Sequence, residues 1–227
     1  DRLASDFRQL QLITQYYKSQ GDDDYGLNLG KGFSAIRGTS TPFVSNGLNS
    51  DRIPGTERHL ISLQYSDSAF LGQELVGQVY YRDESLRFYP FPTVNANKQV
   101  TAFSSSQQDT DQYGMKLTLN SKPMDGWQIT WGLDADHERF TSNQMFFDLA
   151  QASASGGLNN KKIYTTGRYP SYDITNLAVF LQSGYDINNL FTLNGGVRYQ
   201  YTENKIDDFI GYAQQRQIAA GKATSAD

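Results

Sequence analysis

Cysteine is missing from all 227 residues, which excludes a disulfide framework, a thiolate metal site and a cysteine nucleophile. Histidine is nearly missing too, with His59 and His137 the only two, so an imidazole-based zinc site has little to build on. No run approaches the roughly 18 consecutive apolar residues of a transmembrane helix. No basic stretch followed by an apolar one marks a signal peptide at the start. Charge is sparse as well: 19% charged residues and a formal net charge of -4 do not make the strongly basic surface expected of a nucleic-acid binder. None of these absences argues against a place in the cell envelope. The chain opens on DRLASDFRQLQL without an initiator methionine and stops on GKATSAD, which suggests a mature protein trimmed at both ends or a piece of a larger one.

What is present favours sheet. Tyr 15, Phe 13 and Gly 20 suit pleated surfaces and glycine-tolerant turns. In WQITWGLDADHERF, every second residue separates the chain into two faces: Trp127, Ile129, Trp131, Leu133, Ala135 and His137 against Gln128, Thr130, Gly132, Asp134, Asp136 and Glu138. Period 2 is the mark of a strand. The same alternation predicts seven strands, at 7–17, 57–66, 73–83, 111–120, 127–138, 175–185 and 191–203. Between them lie long segments at 18–56, 84–110 and 139–174, with a fourth beginning at 204–227, and short turns after the second, fourth and sixth strands. Long and short connections alternate, so all the long loops emerge at one end of an antiparallel meander.

The apolar faces of these strands are aromatic, and the opposite faces carry Gln, Asn, Asp and Arg, a poor filling for a dry core because buried polar groups must be paired. The pattern fits an inverted surface, with lipid outside and water or a polar plug inside. Strands of 10 to 13 residues meet the roughly 9–11 that a tilted strand needs to cross a bilayer. In lipid a sheet must close, because each unpaired edge group is costly there, and seven strands do not close a bacterial barrel of even strand number. The expected fold is therefore all-β: a transmembrane antiparallel β-barrel, of which this chain is a fragment.

Several motifs invite chemistry. Asp134, Asp136 and Glu138 stand about 6.8 Å apart along one face, a separation that suits inverting hydrolysis, but a solvated lumen wall explains them with less. GDDDYG (21–26) offers calcium ligands without the spacing of an EF-hand loop. LGKGFS, with Gly30 and Gly32, mimics part of a phosphate loop but is followed by no helical pattern. FYPFP (88–92) reads equally as a recognition platform or as a packing rib. His137 has no third ligand at a suggestive spacing, so the chain is expected to be metal-free.

The basic residues are informative by position. Lys31, Arg37 and Arg52 fall in the first long segment, Arg82 and Arg87 at the top of the third strand, and Arg139, Lys161, Lys162 and Arg168 in or near the third long segment. Gathered at one end of a net-negative chain, they suggest a basic mouth that attracts an anionic ligand.

SDSAFLGQELVGQVYYRDES, the pairing of Leu117 and Leu119 with WQITWGLDADHERF, and TNLAVFLQSGY followed by LFTLNGGVRYQYTE together resemble the barrel strands of TonB-dependent outer-membrane siderophore receptors. The most family-like pieces are Phe180 to Gln182 and the strand around Gly195, Gly196 and Arg198. The resemblance implies a barrel of roughly 22 strands around an N-terminal plug, with the plug and the other strands absent from this chain. It further implies capture of a ferric siderophore at extracellular loops and passage through the plugged lumen, driven by the TonB–ExbB–ExbD complex through the missing N-terminal region. Lipid and lipopolysaccharide would cover the exterior, and bacteriocins or phages commonly exploit such receptors. The ligand brings its own iron, so no cofactor, no protein ligand to iron and no catalytic residue is expected. Candidate ligand contacts are the nine cations above and Tyr89, with Tyr25, Phe33, Phe88 and Phe91 as aromatic neighbours. The rival readings are a passive porin or sugar channel and a soluble carbohydrate-binding sheet protein. An enzyme is disfavoured because no nucleophile, base and orienting group converge on one rim.

Overall fold

A computed structural model describes residues 7–20, 54–88, 90–97, 100–155 and 159–223. Nine strands form one antiparallel sheet: β1 (Arg8–Gln20), β2 (Gly55–Phe70), β3 (Gln73–Arg87), β4 (Phe91–Val94), β5 (Val100–Met124), β6 (Trp127–Phe147), β7 (Lys162–Gly167), β8 (Tyr172–Asn188) and β9 (Phe191–Ile206). Seven of them run side by side in the order β1-β2-β3-β5-β6-β8-β9, while short β4 pairs with β5 and short β7 with β6. Helix α1 (Leu149–Ala154) follows β6 and helix α2 (Tyr212–Ala219) follows β9. Among the described residues β1 pairs only with β2 and β9 only with β8, so the sheet has two open edges.

Alternation in the sequence becomes two faces because the register keeps like with like. Leu12, Leu63, Val79, Met115, Ala135, Leu177 and Tyr201 form one continuous cross-strand row, and Leu10, Tyr65, Gly77, Leu117, Leu133, Val179 and Tyr199 form the next. Ile61, Leu63, Val79, Tyr81, Tyr113, Met115, Leu177, Val179 and Leu181 all sit on internal strands, yet they remain 40–54% exposed. An apolar surface spread over seven strands far exceeds the few hundred Å² that a water-soluble monomer leaves uncovered. From Leu177 to Tyr185 the band measures roughly 27 Å along the strand at 3.4 Å per residue, or about 21 Å once tilted by 40°, close to the height of an outer-membrane apolar band.

The turns at one end are shorter than composition suggests. SKPMDG reads as a six-residue turn, but β5 continues to Met124 and only Asp125 and Gly126 remain outside the strands. Between β2 and β3 only Leu71 (φ 50°) and Gly72 (φ 79°) connect, both left-handed, as a two-residue hairpin requires if it is to follow the sheet twist. After β8, Asn188 Oδ1 accepts the backbone N–H groups of Leu190 and Phe191 at 2.9 and 3.0 Å.

The opposite end departs most from the sequence reading. Segments 84–110 and 139–174 read as loops, whereas β3 runs to Arg87, β5 begins at Val100, β6 reaches Phe147 and β8 begins at Tyr172. The amphipathic period lapses there because SSSQQDTDQ is polar on both faces, but the β5–β6 ladder continues in unbroken register from Phe103↔Phe147 to Ser121↔Ile129. Backbone pairing, not side-chain alternation, carries the strands beyond the band. Residues 204–206 and 212–219, also read as loop, supply the end of β9 and α2. Among the described residues a conventional core appears only here: Phe103, Phe147 and Ala152 of α1 are buried together, with Met145 and Leu149 against them.

Candidate functional site

The polar face, the long-connection end and the cations between them are the places where a ligand would be met. On the polar face the carboxylates of β6 are committed to the wall. Asp134 takes an ion pair from Arg198 at 2.8 Å, and Asp136 accepts from Asn176 Nδ2 at 2.9 Å, while Thr202 Oγ1 donates to Asn176 Oδ1 at 2.8 Å. Further bonds tie Gln78 to Ser62 (2.8 Å) and Thr130 to Asn120 (2.7 Å). This is a cross-strand polar lattice rather than an acid/base pair. Two aromatic rings lie flat in it over glycines of neighbouring strands: an added Cβ at Gly114 would come within 2.7 Å of Tyr80 Oη, and one at Gly132 within 2.8 Å of the Phe180 ring.

On the apolar face, above the band, a polar girdle forms. Arg87 pairs with Glu57 at 3.2 Å, Arg139 with Asp173 at 3.1 Å and Asp207 at 3.7 Å, and Tyr81 Oη donates to Asp111 at 2.6 Å. His137 stands on this face, with Nδ1 2.9 Å from Thr175 Oγ1 and Nε2 3.3 Å from Asp173. Among the described residues no group of three His, Asp or Glu side chains is arranged to hold a metal ion.

The basic residues read as one mouth therefore part company. Lys31, Arg37, Arg52 and Tyr89 lie outside the described residues, as do GDDDYG and LGKGFS. Arg87 and Arg139 fall on the apolar side and are ion-paired. Lys161 and Lys162 are exposed at the start of β7. Arg168 donates to Ser106 Oγ at 2.7 Å, with its guanidinium 5.9 Å from the Phe91 ring and 5.4 Å from Tyr169. Phe91 of FYPFP, which opens β4, therefore packs beside Arg168. Arg82 alone of the two β3 arginines shares the polar face.

Arg58 is not among these candidates, although the β2 alternation puts it on the polar side. Proximity to long segments ranked the cations, when strand parity was the better guide. Arg58 stands across from Tyr17 and Glu84, with its guanidinium 5.8 Å from the Tyr17 ring. Arg216 and Lys222 fall outside those candidates for a different reason: they belong to a segment with no period. They line a cavity of ≈ 300 Å³ beside Phe146 and Tyr164, with Arg216 4.9 Å from the Phe146 ring.

Comparison with known proteins accounts for this inverted sheet. The family model for TonB dependent receptor-like, beta-barrel proteins matches residues 2–225. The chain is 98% identical over 220 residues to a ferric aerobactin receptor of Escherichia coli, covering 97% of this chain and 30% of that protein. It is 42% identical over 222 residues to a rhizobactin receptor of Rhizobium meliloti (strain 1021), covering 98% of this chain and 30% of that protein. No solved structure matches it. The chain thus spans 30% of the length of these curated relatives. Proteins of this family sit in the bacterial outer membrane, which gives the exposed apolar band its lipid. With the family model covering nearly its whole length, the chain belongs to the TonB-dependent receptors and forms part of their β-barrel.

Proposed function

We propose that this chain is a section of a receptor that takes up a ferric siderophore, ferric aerobactin in particular, across the outer membrane. The observation that carries the reading is the inverted sheet with two open edges, joined to near-identity with a ferric aerobactin receptor. Open edges in lipid demand further strands, so the seven long strands continue into a closed barrel of roughly 22, with a plug domain inside and the long-connection end facing outward from the cell. The ligand binds at that end and moves through the plugged interior, energised through TonB–ExbB–ExbD, and no covalent bond is made or broken. The girdle of Glu57, Arg87, Arg139 and Asp173 stands at the height of the lipopolysaccharide head groups. Bacteriocins or phages would meet the same outer end.

Ferric aerobactin, a citrate-centred dihydroxamate, is an anion, so guanidinium and ammonium groups are its natural partners. Lys31, Arg37, Arg52, Lys161, Lys162 and Arg168 remain candidates for that contact, with Tyr89 packing on the ligand's apolar arms. The test is binding of ferric aerobactin to the intact receptor in detergent, with ferrichrome and ferric enterobactin as competitors. Tight binding of aerobactin alone is expected. Preference for another chelate would keep the receptor and discard this ligand, and binding of none, with steady ion conductance across a bilayer, would make the protein a passive porin or sugar channel instead.

A further inference from the structure

We infer that Arg58 and Arg82 form an anion-binding pair on the inner wall of the barrel, just inside its mouth, where a carboxylate of the incoming ferric chelate is received. The inference rests on the siderophore-receptor reading and assigns to it residues that face inward.

Geometry sets the pair apart from every other described arginine of the wall. Arg58 lies across from Glu84, and Arg82 lies across from Leu60, two residues further along β2. The two arginines are therefore diagonal neighbours on one face, roughly 7–8 Å apart at the backbone, a spacing that lets two planar guanidinium groups reach the two oxygens of one carboxylate. Height is fixed by the residues beside them: His59 and Asp83, next in sequence, belong to the outward row at which the polar girdle begins. The pair thus sits at the level where the strands leave the membrane.

Polar satisfaction separates it from the deeper wall. Arg198, lower on the same face, is neutralised by Asp134 at 2.8 Å. By contrast, the Nε atoms of both Arg58 and Arg82 are buried and have no hydrogen-bond partner. The carboxylates on neighbouring positions of this face are Glu84, opposite Arg58, and Glu138, beyond Gln112, and neither forms an ion pair with the two arginines. Buried donors without acceptors are uncommon in folded proteins and call for an explanation. Tyr17, whose ring underlies Arg58, holds that guanidinium against the wall. Two half-buried cations, one held over Tyr17 and neither ion-paired with a carboxylate of the wall, make a receptor for an anion that arrives from outside.

The test uses the intact receptor in detergent and ferric aerobactin. R58Q/R82Q is expected to raise Kd by about tenfold or more, as loss of charge-assisted hydrogen bonds to a carboxylate does, and to flatten the dependence of Kd on salt. R58K/R82K, which keeps both charges and the packing, should recover part of the affinity and serves in its place if the glutamine variant does not fold. R87Q/R139Q, on the outer face, should bind within about twofold of the parent. An unchanged Kd in R58Q/R82Q, beside a parent that binds normally, would overturn the pair while leaving the receptor reading intact. Unchanged Kd with new protease sensitivity of the N-terminal plug would also overturn it, assigning the arginines to the plug. A parent that fails to bind ferric aerobactin would instead overturn the receptor reading, and this inference with it.

Discussion

Two regions built from the same strands obey opposite rules. Within the band, β2, β3, β5, β6 and β8 put their apolar side chains outward and their hydrogen-bonded groups inward. Beyond it, β5 and β6 continue in the same register but bury Phe103 and Phe147 against α1, while Ser104, Ser106 and Gln144 are buried in mutual contact, with Gln144 Nε2 donating to Ser104 Oγ at 2.8 Å. Backbone geometry does not change at the boundary; the solvent does. A strand takes its inside and outside from the medium around it, so one continuous strand is organised by lipid along one stretch and by water along the next.

Three substitutions sharpen that contrast. The largest effect is expected from Phe147→Ala, which empties a site only 2% exposed. It should destabilise the core at the long-connection end by about 3–5 kcal/mol, read as early proteolysis between β6 and β8 while the membrane band stays protected. Next comes Val179→Arg, which puts a charge in the middle of the band on a residue 51% exposed. It should cost about 2–4 kcal/mol of folding stability in lipid, measured by denaturant titration of the intact receptor in vesicles. A negligible cost would mean that this face meets water, and the contrast would collapse. The smallest effect is expected from Gly132→Ala, whose Cβ would press on the Leu117 carbonyl and the Phe180 ring. About 1–3 kcal/mol is expected from overpacking, and the double variant with Phe180→Ala should recover part of it, because the ring is one of the two obstacles.

The band was legible because lipid enforces strict alternation: Trp131, Leu133 and Ala135 could be assigned a face from spacing alone. The strands at the long-connection end were not, because there polar Ser104, Ser105 and Ser106 are buried beside Phe103, so hydrophobicity no longer marks which face is covered. Helices α1 (LAQASA) and α2 (YAQQRQIA) are too short to display a stripe. At the site, composition found the excess of cations near one end. It did not separate Arg87, turned outward to Glu57, from Arg82, turned inward, although the parity needed to do so was already in the strand pattern. Family resemblance supplied the class, while the distribution of partners among the arginines emerged only from the register.

The rings of Tyr80 and Phe180 lie flat over Gly114 and Gly132 instead of standing up from the wall. The interior surface is in effect panelled: bulky residues add thickness along the sheet, not height above it. In the closed barrel proposed above, a body held inside such a wall would meet no protruding teeth at these positions, so its displacement by a few ångströms would not have to wait for a side chain to swing aside.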